Sequence, residues 1–240
     1  PGNNPAAASA ARAAFIQAEQ SFSATVTATT SGGSATPNYG KESSPETVTL
    51  APTLVLPAGG ANPAISNADA FGSFSGGVAT GTTFAWPEVG IITLTPRVGD
   101  GDYLGAGQVT GTPSANVGRF IPAFFDTSAL AGCSAFTYSG QPMTVTATAK
   151  ATGGGTTTNY SGANWARQLT LTDANGVAGS FTAGNTLPAA SFSSGAASNS
   201  TTTFTFTSPT TAPSSIRLRA SEPPLADGIS SAIGTEGTQT

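Results

Sequence analysis

Histidine is absent from this 240-residue chain, and cysteine and methionine occur once each. Without histidine there is no imidazole base, no imidazole metal ligand and no Ser-His-Asp or Cys-His nucleophile pair. With Cys133 alone, no disulfide closes within the chain; the thiol is either a small buried apolar group or half of a bond to a cysteine elsewhere. Charge is scarce as well, 8% of residues against roughly 25% in ordinary soluble domains. The formal net charge is −4 and the pI about 4.6, so no basic patch exists to displace counterions from nucleic acid, and anionic membrane surfaces are disfavoured for the same reason. No run of 18 apolar residues reads as a membrane-spanning helix. The Ala-rich stretch Ala6 to Phe15 is too small-sided for a signal peptide. With no initiating Met and a polar end, GTEGTQT, the chain reads as a fragment or mature segment of something longer.

What is present is hydroxyl-rich and β-forming. Thirteen Phe, four Tyr and two Trp are enough to build cores, and low net charge sets the chain apart from disordered sequences. The phrases GGSATPNYG and GGGTTTNYSG repeat with an offset of 121 residues between Tyr39 and Tyr160. That offset holds without gaps from Ala14 to Leu50, matching Phe15 to Phe136, Gln20 to Gln141 and Asn38-Tyr39 to Asn159-Tyr160. Further on, GSFSGGVATGTTFAW resembles ASFSSGAASNSTTTFTF, and GIITLTPRVGDGDY resembles SSIRLRASEPPLADG, with a drifting offset that loop insertions would produce.

Within each copy the apolar residues alternate. Phe22, Ala24, Val26 and Ala28 face one way and the intervening Ser and Thr the other; Met143, Val145, Ala147 and Ala149 do the same. Half-buried strands have this period, and several short strands punctuated by Gly, Pro and Asn in about 100 residues predict an immunoglobulin-like sandwich. The expected class is all-β: two tandem immunoglobulin-like β-sandwiches joined by a short, partly packed joint. The expected divisions are an N-terminal extension 1–13, sandwich one 14–112, a joint 113–133, sandwich two 134–235 and a polar tail 236–240. Phe120, Phe124 and Phe125 are structural residues of the joint, where Ile121 is also apolar, and Arg119 is placed to bridge it through Asp126. The joint segment is expected to supply the last strand of the first unit. Asn38 and Asn159 are expected as turn residues bonding local backbone, and Tyr39 and Tyr160 as rings over a sheet end.

Several residues are candidates for chemistry, each with a plain structural reading beside it. Asp100 and Asp102, in the Gly-rich VGDGDYLGAG, are candidate calcium ligands; the EF-hand spacing is not met and a surface turn uses the same residues. The second unit has only Asp227 in the corresponding place. Glu42, Glu46 and Glu88 are isolated carboxylates expected to be solvated in turns, with no spacing that sets two across a glycoside. Lys41 and Lys150 have no matched carboxyl partner for an isopeptide bond. Trp86 falls in phase with Phe84 and is expected in a core; Trp165 follows the turn and is the candidate for ligand contact.

The phrases NYGKESSPETVTL, EVGIITLTPRVGDGDYLGAG, VGRFIPAFFDTS and CSAFTYSGQPMTVTATA resemble the C-terminal region of MshQ-type proteins. Those proteins are associated with mannose-sensitive haemagglutinin and related type IV pilus systems of Gram-negative bacteria. NYSG and TVTATA also resemble bacterial immunoglobulin-like modules of invasin type. The resemblance implies an extracellular, cell-surface setting, with other domains of the same chain or pilus components as partners, and transfers no catalytic residue or cofactor. It implies a lectin domain upstream, absent from these residues. Three functional readings follow: a non-enzymatic stalk or adhesion module, a glycan- or peptide-binding module using loops at the sandwich tips, and a self-assembling filament subunit paired through strand edges.

Overall fold

The structure is a computed structural model that describes residues 3–208 and 215–223, together with the backbone of Glu236–Thr238. Asp227 lies outside the described residues. Six strands build the first unit: β1 (Ile16–Gln17), β2 (Phe22–Thr27), β3 (Val48–Leu56), β4 (Val78–Phe84), β5 (Gly90–Val98) and β6 (Val117–Ile121). The second contains β7 (Phe124–Leu130), β8 (Pro142–Lys150), a one-turn helix α1 (Gly162–Trp165), β9 (Leu169–Asp173), β10 (Gly179–Ala183), β11 (Thr186–Leu187), β12 (Ala196–Phe206), β13 (Arg217–Ser221) and β14 (Glu236–Thr238).

Pairing sorts these strands into four open sheets. The first unit has β1-β6-β5-β3 facing β2-β4, and the second has β10-β12-β8-β7 facing β11-β9-β13-β14. The second arrangement contains the ABED and CFG sheets of a constant-type immunoglobulin sandwich, with β11 added beside β9 as an extra strand. The fold is therefore all-β, with tandem immunoglobulin-like sandwiches, as the alternation predicted.

The expected joint 113–133 is divided between the units. β6 pairs with β5 and, in parallel, with β1, while β7 pairs with β8 along its whole length. Only Pro122 and Ala123 separate them. Phe120 packs in the first core, T-shaped on Trp86 at 5.2 Å, and Phe125 in the second, 5.5 Å from the ring of Tyr160; Phe124 between them is half-buried. Each buried ring contributes roughly 1.5–3 kcal/mol of apolar burial. The Nε of Arg119 donates to the Arg12 carbonyl, 2.7 Å away, so the arginine secures the N-terminal segment. That segment is no loose extension: the Ala7 N–H reaches Gly118 O and the Phe15 N–H reaches Arg119 O. Likewise the residues expected as a polar tail include β14, whose backbone completes the open edge of β13.

The repeat extends to individual hydrogen bonds. The Ala28 N–H donates to Gly77 O and the Ala149 N–H to Gly195 O, both at 2.8 Å; the Thr36 and Thr157 N–H groups return to the Ala28 and Ala149 carbonyls. Gly77 and Gly195 sit at φ of +83° and +84°, and a Cβ on either would stand 2.6 Å from the carbonyl oxygen of Thr36 or Thr157. Only glycine permits that conformation at that distance. Even the strand irregularity recurs. Register shifts between Phe22↔Phe84 and Ala24↔Gly81, and again between Met143↔Thr202 and Val145↔Asn199.

Candidate functional site

The two units meet around Glu88, in the loop leading from β4 to β5. The residue is 4% exposed and its carboxylate carries four hydrogen bonds. Oε1 accepts from the backbone N–H of Val89 (2.8 Å) and Asn159 (3.1 Å), and Oε2 from the N–H and hydroxyl of Thr158 (both 2.8 Å). A carboxylate offers about four lone-pair positions, so this buried charge is fully engaged by neutral donors. The expectation of a solvated turn residue fails here because three of the four donors lie some 70 residues away in sequence. Val89, next along, is inserted into the core of the second unit.

Asn159 completes the joint from the other side. Its Oδ1 accepts from the Ala61 N–H (2.7 Å), and its Nδ2 donates to the carbonyls of Ala61 (2.9 Å) and Val89 (3.0 Å). The expected local turn bond is replaced by contacts across units. Gly60 makes room for it, since a Cβ there would stand 2.5 Å from Asn159 Oδ1. Around this centre, the Thr152 N–H and hydroxyl both reach Ala18 O at 3.0 Å, the Gly153 N–H reaches Glu19 Oε2 at 2.9 Å, and Arg167 donates to Ala10 O at 2.7 Å. Asn38, the partner of Asn159 in the repeat, is exposed, and Pro37 stands where Thr158 would be. Proline has neither the N–H nor the hydroxyl that receives Glu88. Only the second copy of the phrase therefore supplies the donors that hold Glu88, and the change from Pro37 to Thr158 was the sequence signal.

The tyrosines keep a common role. Tyr39 packs edge-on against Phe74 at 4.6 Å and donates to Thr47 O (3.2 Å); Tyr160 packs edge-on against Phe192 at 5.0 Å and accepts from the Arg167 N–H (3.0 Å). Tyr160 is buried in the second core, whereas Tyr39 is half-exposed and stacks on Tyr103 at 5.8 Å. Burial, followed by the carboxylates of Glu46 and Glu42, pushes the Tyr39 phenol up to about 12. Burial also raises Tyr160, beyond the ordinary phenol range. Beside Tyr39 a groove of about 650 Å³ opens between β2 and the chain that follows β5, walled by Val26, Ala28, Val48, Phe74, Val98 and Val109.

The remaining candidates are not brought together. Asp102 accepts from its own loop, from the Gly105 N–H at 3.2 Å and the Gly107 N–H at 2.6 Å, and Asp100 accepts from the Asp102 N–H at 3.0 Å. These carboxylates serve as turn acceptors, and among the described residues no cluster of three metal-ligating side chains forms. Trp165, in α1, is half-buried against the second core, and Trp86 is buried in the first with its indole N–H on Pro63 O (3.0 Å). Cys133 is half-buried and unbonded to another cysteine, with Gln141 Nε2 donating to its sulfur at 3.2 Å. Glu42 Oε2 accepts the Glu46 N–H, and Lys150 donates to Thr156.

No curated protein matches the chain. Among solved structures, the adhesin InvE of Yersinia pseudotuberculosis aligns with 94% of this chain and 56% of its own, at a TM-score of 0.35 and 20% identity, so the chain spans just over half of that one. Residues 1–84 match the model for the second domain of DUF6701, and residues 88–236 the model for its third domain. The division between the two models falls beside Glu88, although β5 and β6 beyond it complete the first unit's sheet. Matched over both halves and in order, the chain belongs to the DUF6701 family, as its second and third domains.

Proposed function

We propose that this segment is a non-enzymatic, rigid spacer of a bacterial surface protein, holding neighbouring domains at a fixed angle and distance. The observation that carries the reading is the joint: a buried Glu88 with all its acceptor positions filled, locked to Asn159, with Val89 inserted in the neighbouring core. A flexible linker needs none of this, and two residues between β6 and β7 leave little freedom. The absence of histidine and the scattered carboxylates support a role without catalysis. The resemblance to MshQ-type proteins supports an extracellular, pilus-associated setting.

Small-angle scattering tests the reading. A rigid pair gives one narrow distribution of maximum dimension that Glu88→Ala broadens. A wild-type profile that already requires an ensemble of inter-unit angles would defeat the spacer reading.

A further inference from the structure

The second unit carries a strand that the first unit does without. In the second unit, β7 lies on the outer edge of β8 with Phe125 opposite Ala149, Thr127 opposite Ala147 and Ala129 opposite Val145. The Thr127 hydroxyl crosses to Leu218 O in the facing sheet, and Phe125 packs on Tyr160. Under this cover Val145, Ala147 and Ala149 are all 0% exposed.

By the offset of 121 their counterparts on β2 are Ala24, Val26 and Ala28. All three are only half-buried, and among the described residues β2 pairs with β4 alone. The groove beside Tyr39 lies along this edge. Its walls hold the equivalents of the residues β7 covers: Tyr39 and Phe74 for Tyr160 and Phe192, Val26 and Ala28 for Ala147 and Ala149. The Ala28 N–H is turned toward Gly77 on the β4 side, so the backbone groups of Thr25 and Thr27 face outward by strand alternation. In the second unit an outward carbonyl on the same side of β8, that of Lys150 (the counterpart of Thr29), accepts the Ala123 N–H at 2.7 Å. The segment before β1 does not fill the slot, because its backbone is bound to β6 through Gly118 and Arg119.

We infer that the open edge of β2 and its groove are a strand-acceptor site, taking an extended segment of another polypeptide antiparallel to β2, with an aromatic side chain between Tyr39 and Ala28 and small side chains two and four residues later. Main-chain bonds to Thr25 and Thr27 supply affinity, and the groove selects the alternate side chains. β7 is the template, with Phe125, Thr127 and Ala129 inward and the charge of Asp126 outward. The site is remote from the Glu88 latch and does not depend on the spacer reading.

The test uses the full chain and a labelled peptide reading Ile121 to Ala131, IPAFFDTSALA. Anisotropy should show one saturable site, and hydrogen exchange of the Thr25 and Thr27 amides should slow at least tenfold on binding. Thr27→Pro removes an outward N–H at an edge position where proline is tolerated, and should weaken binding about tenfold. Val109→Glu, at a groove wall residue that is 50% exposed, should do the same if the proline variant does not fold. Replacing the peptide's first inward Phe by Asp should also lose at least tenfold. No saturable binding up to about 1 mM, protection on β8 rather than β2, or affinity unchanged in Val109→Glu would overturn the inference. So would a soluble glycan that shifts Tyr39 and Tyr103 resonances while the peptide does not bind.

Discussion

Replacing Glu88 by Ala removes the acceptor for three backbone N–H groups and one hydroxyl. A buried donor left without a partner costs about 1–3 kcal/mol. Thr158 is exposed, so water replaces much of what it loses. Asn159 is 4% exposed and Val89 2% exposed, and their N–H groups bear most of the loss. Counting those two near the middle of the range and offsetting the energy released by no longer burying a charge gives about 3 kcal/mol. That is a factor of roughly 150 in the equilibrium between docked and separated units. Each unit holds one tryptophan, Trp86 in the first and Trp165 in the second, so urea unfolding followed in Trp86→Phe and Trp165→Phe backgrounds reports each unit separately. With Glu88 intact the two transitions coincide. With Glu88→Ala they separate, and the second unit, whose core loses the anchored Val89, unfolds at lower urea. Coincident transitions in Glu88→Ala with a midpoint shift worth less than about 0.5 kcal/mol would refute the argument that this carboxylate couples the units.

Four further outcomes follow from the turns and their hydrogen bonds. Gly77→Ala and Gly195→Ala each force a Cβ against a carbonyl oxygen at positive φ and should cost about 2 kcal/mol apiece in thermal or urea unfolding, alike in both units. Tyr160→Phe should cost about 1 kcal/mol by leaving the part-buried Arg167 N–H without its acceptor, and Tyr39→Phe less than about 0.5 kcal/mol. Because the folded state holds the Tyr39 proton more tightly than the unfolded chain, its contribution is complete below about pH 10 and is lost as pH rises toward about 12; an alkaline absorbance titration with parallel stability measurements checks this. Asp173 behaves with the opposite sign: burial works against its charge, but N–H bonds from Arg217, Val177, Asn175 and Gly176 outweigh it and lower its pKa. Its contribution is present above about pH 4 and fades as pH falls through the folded value, so Asp173→Ala, about 1 kcal/mol less stable at pH 7 after allowing for exposure, should converge on wild type in acid.

Much of the architecture was legible without coordinates. The period-2 alternation in Phe22 to Ala28 and Met143 to Ala149 placed β2 and β8, since a side chain's face in a strand depends only on its parity. The 121-residue offset aligned the two tyrosine turns, because the glycine, the carbonyl and the ring that define each lie in short repeated phrases. Tertiary structure decided the rest. Nothing near Glu88 in sequence, Pro87 or Val89, reveals that its acceptors will be filled by Thr158 and Asn159. Likewise the FIPAFF run shows that aromatic residues bury, but not that Phe120 and Phe125 enter different cores, nor that β7 covers β8 while β2 keeps an open edge. Local pattern fixes which way a residue points within its own strand; which strand or unit it meets depends on loop closures and pairings between distant segments, and those have no local periodicity to read.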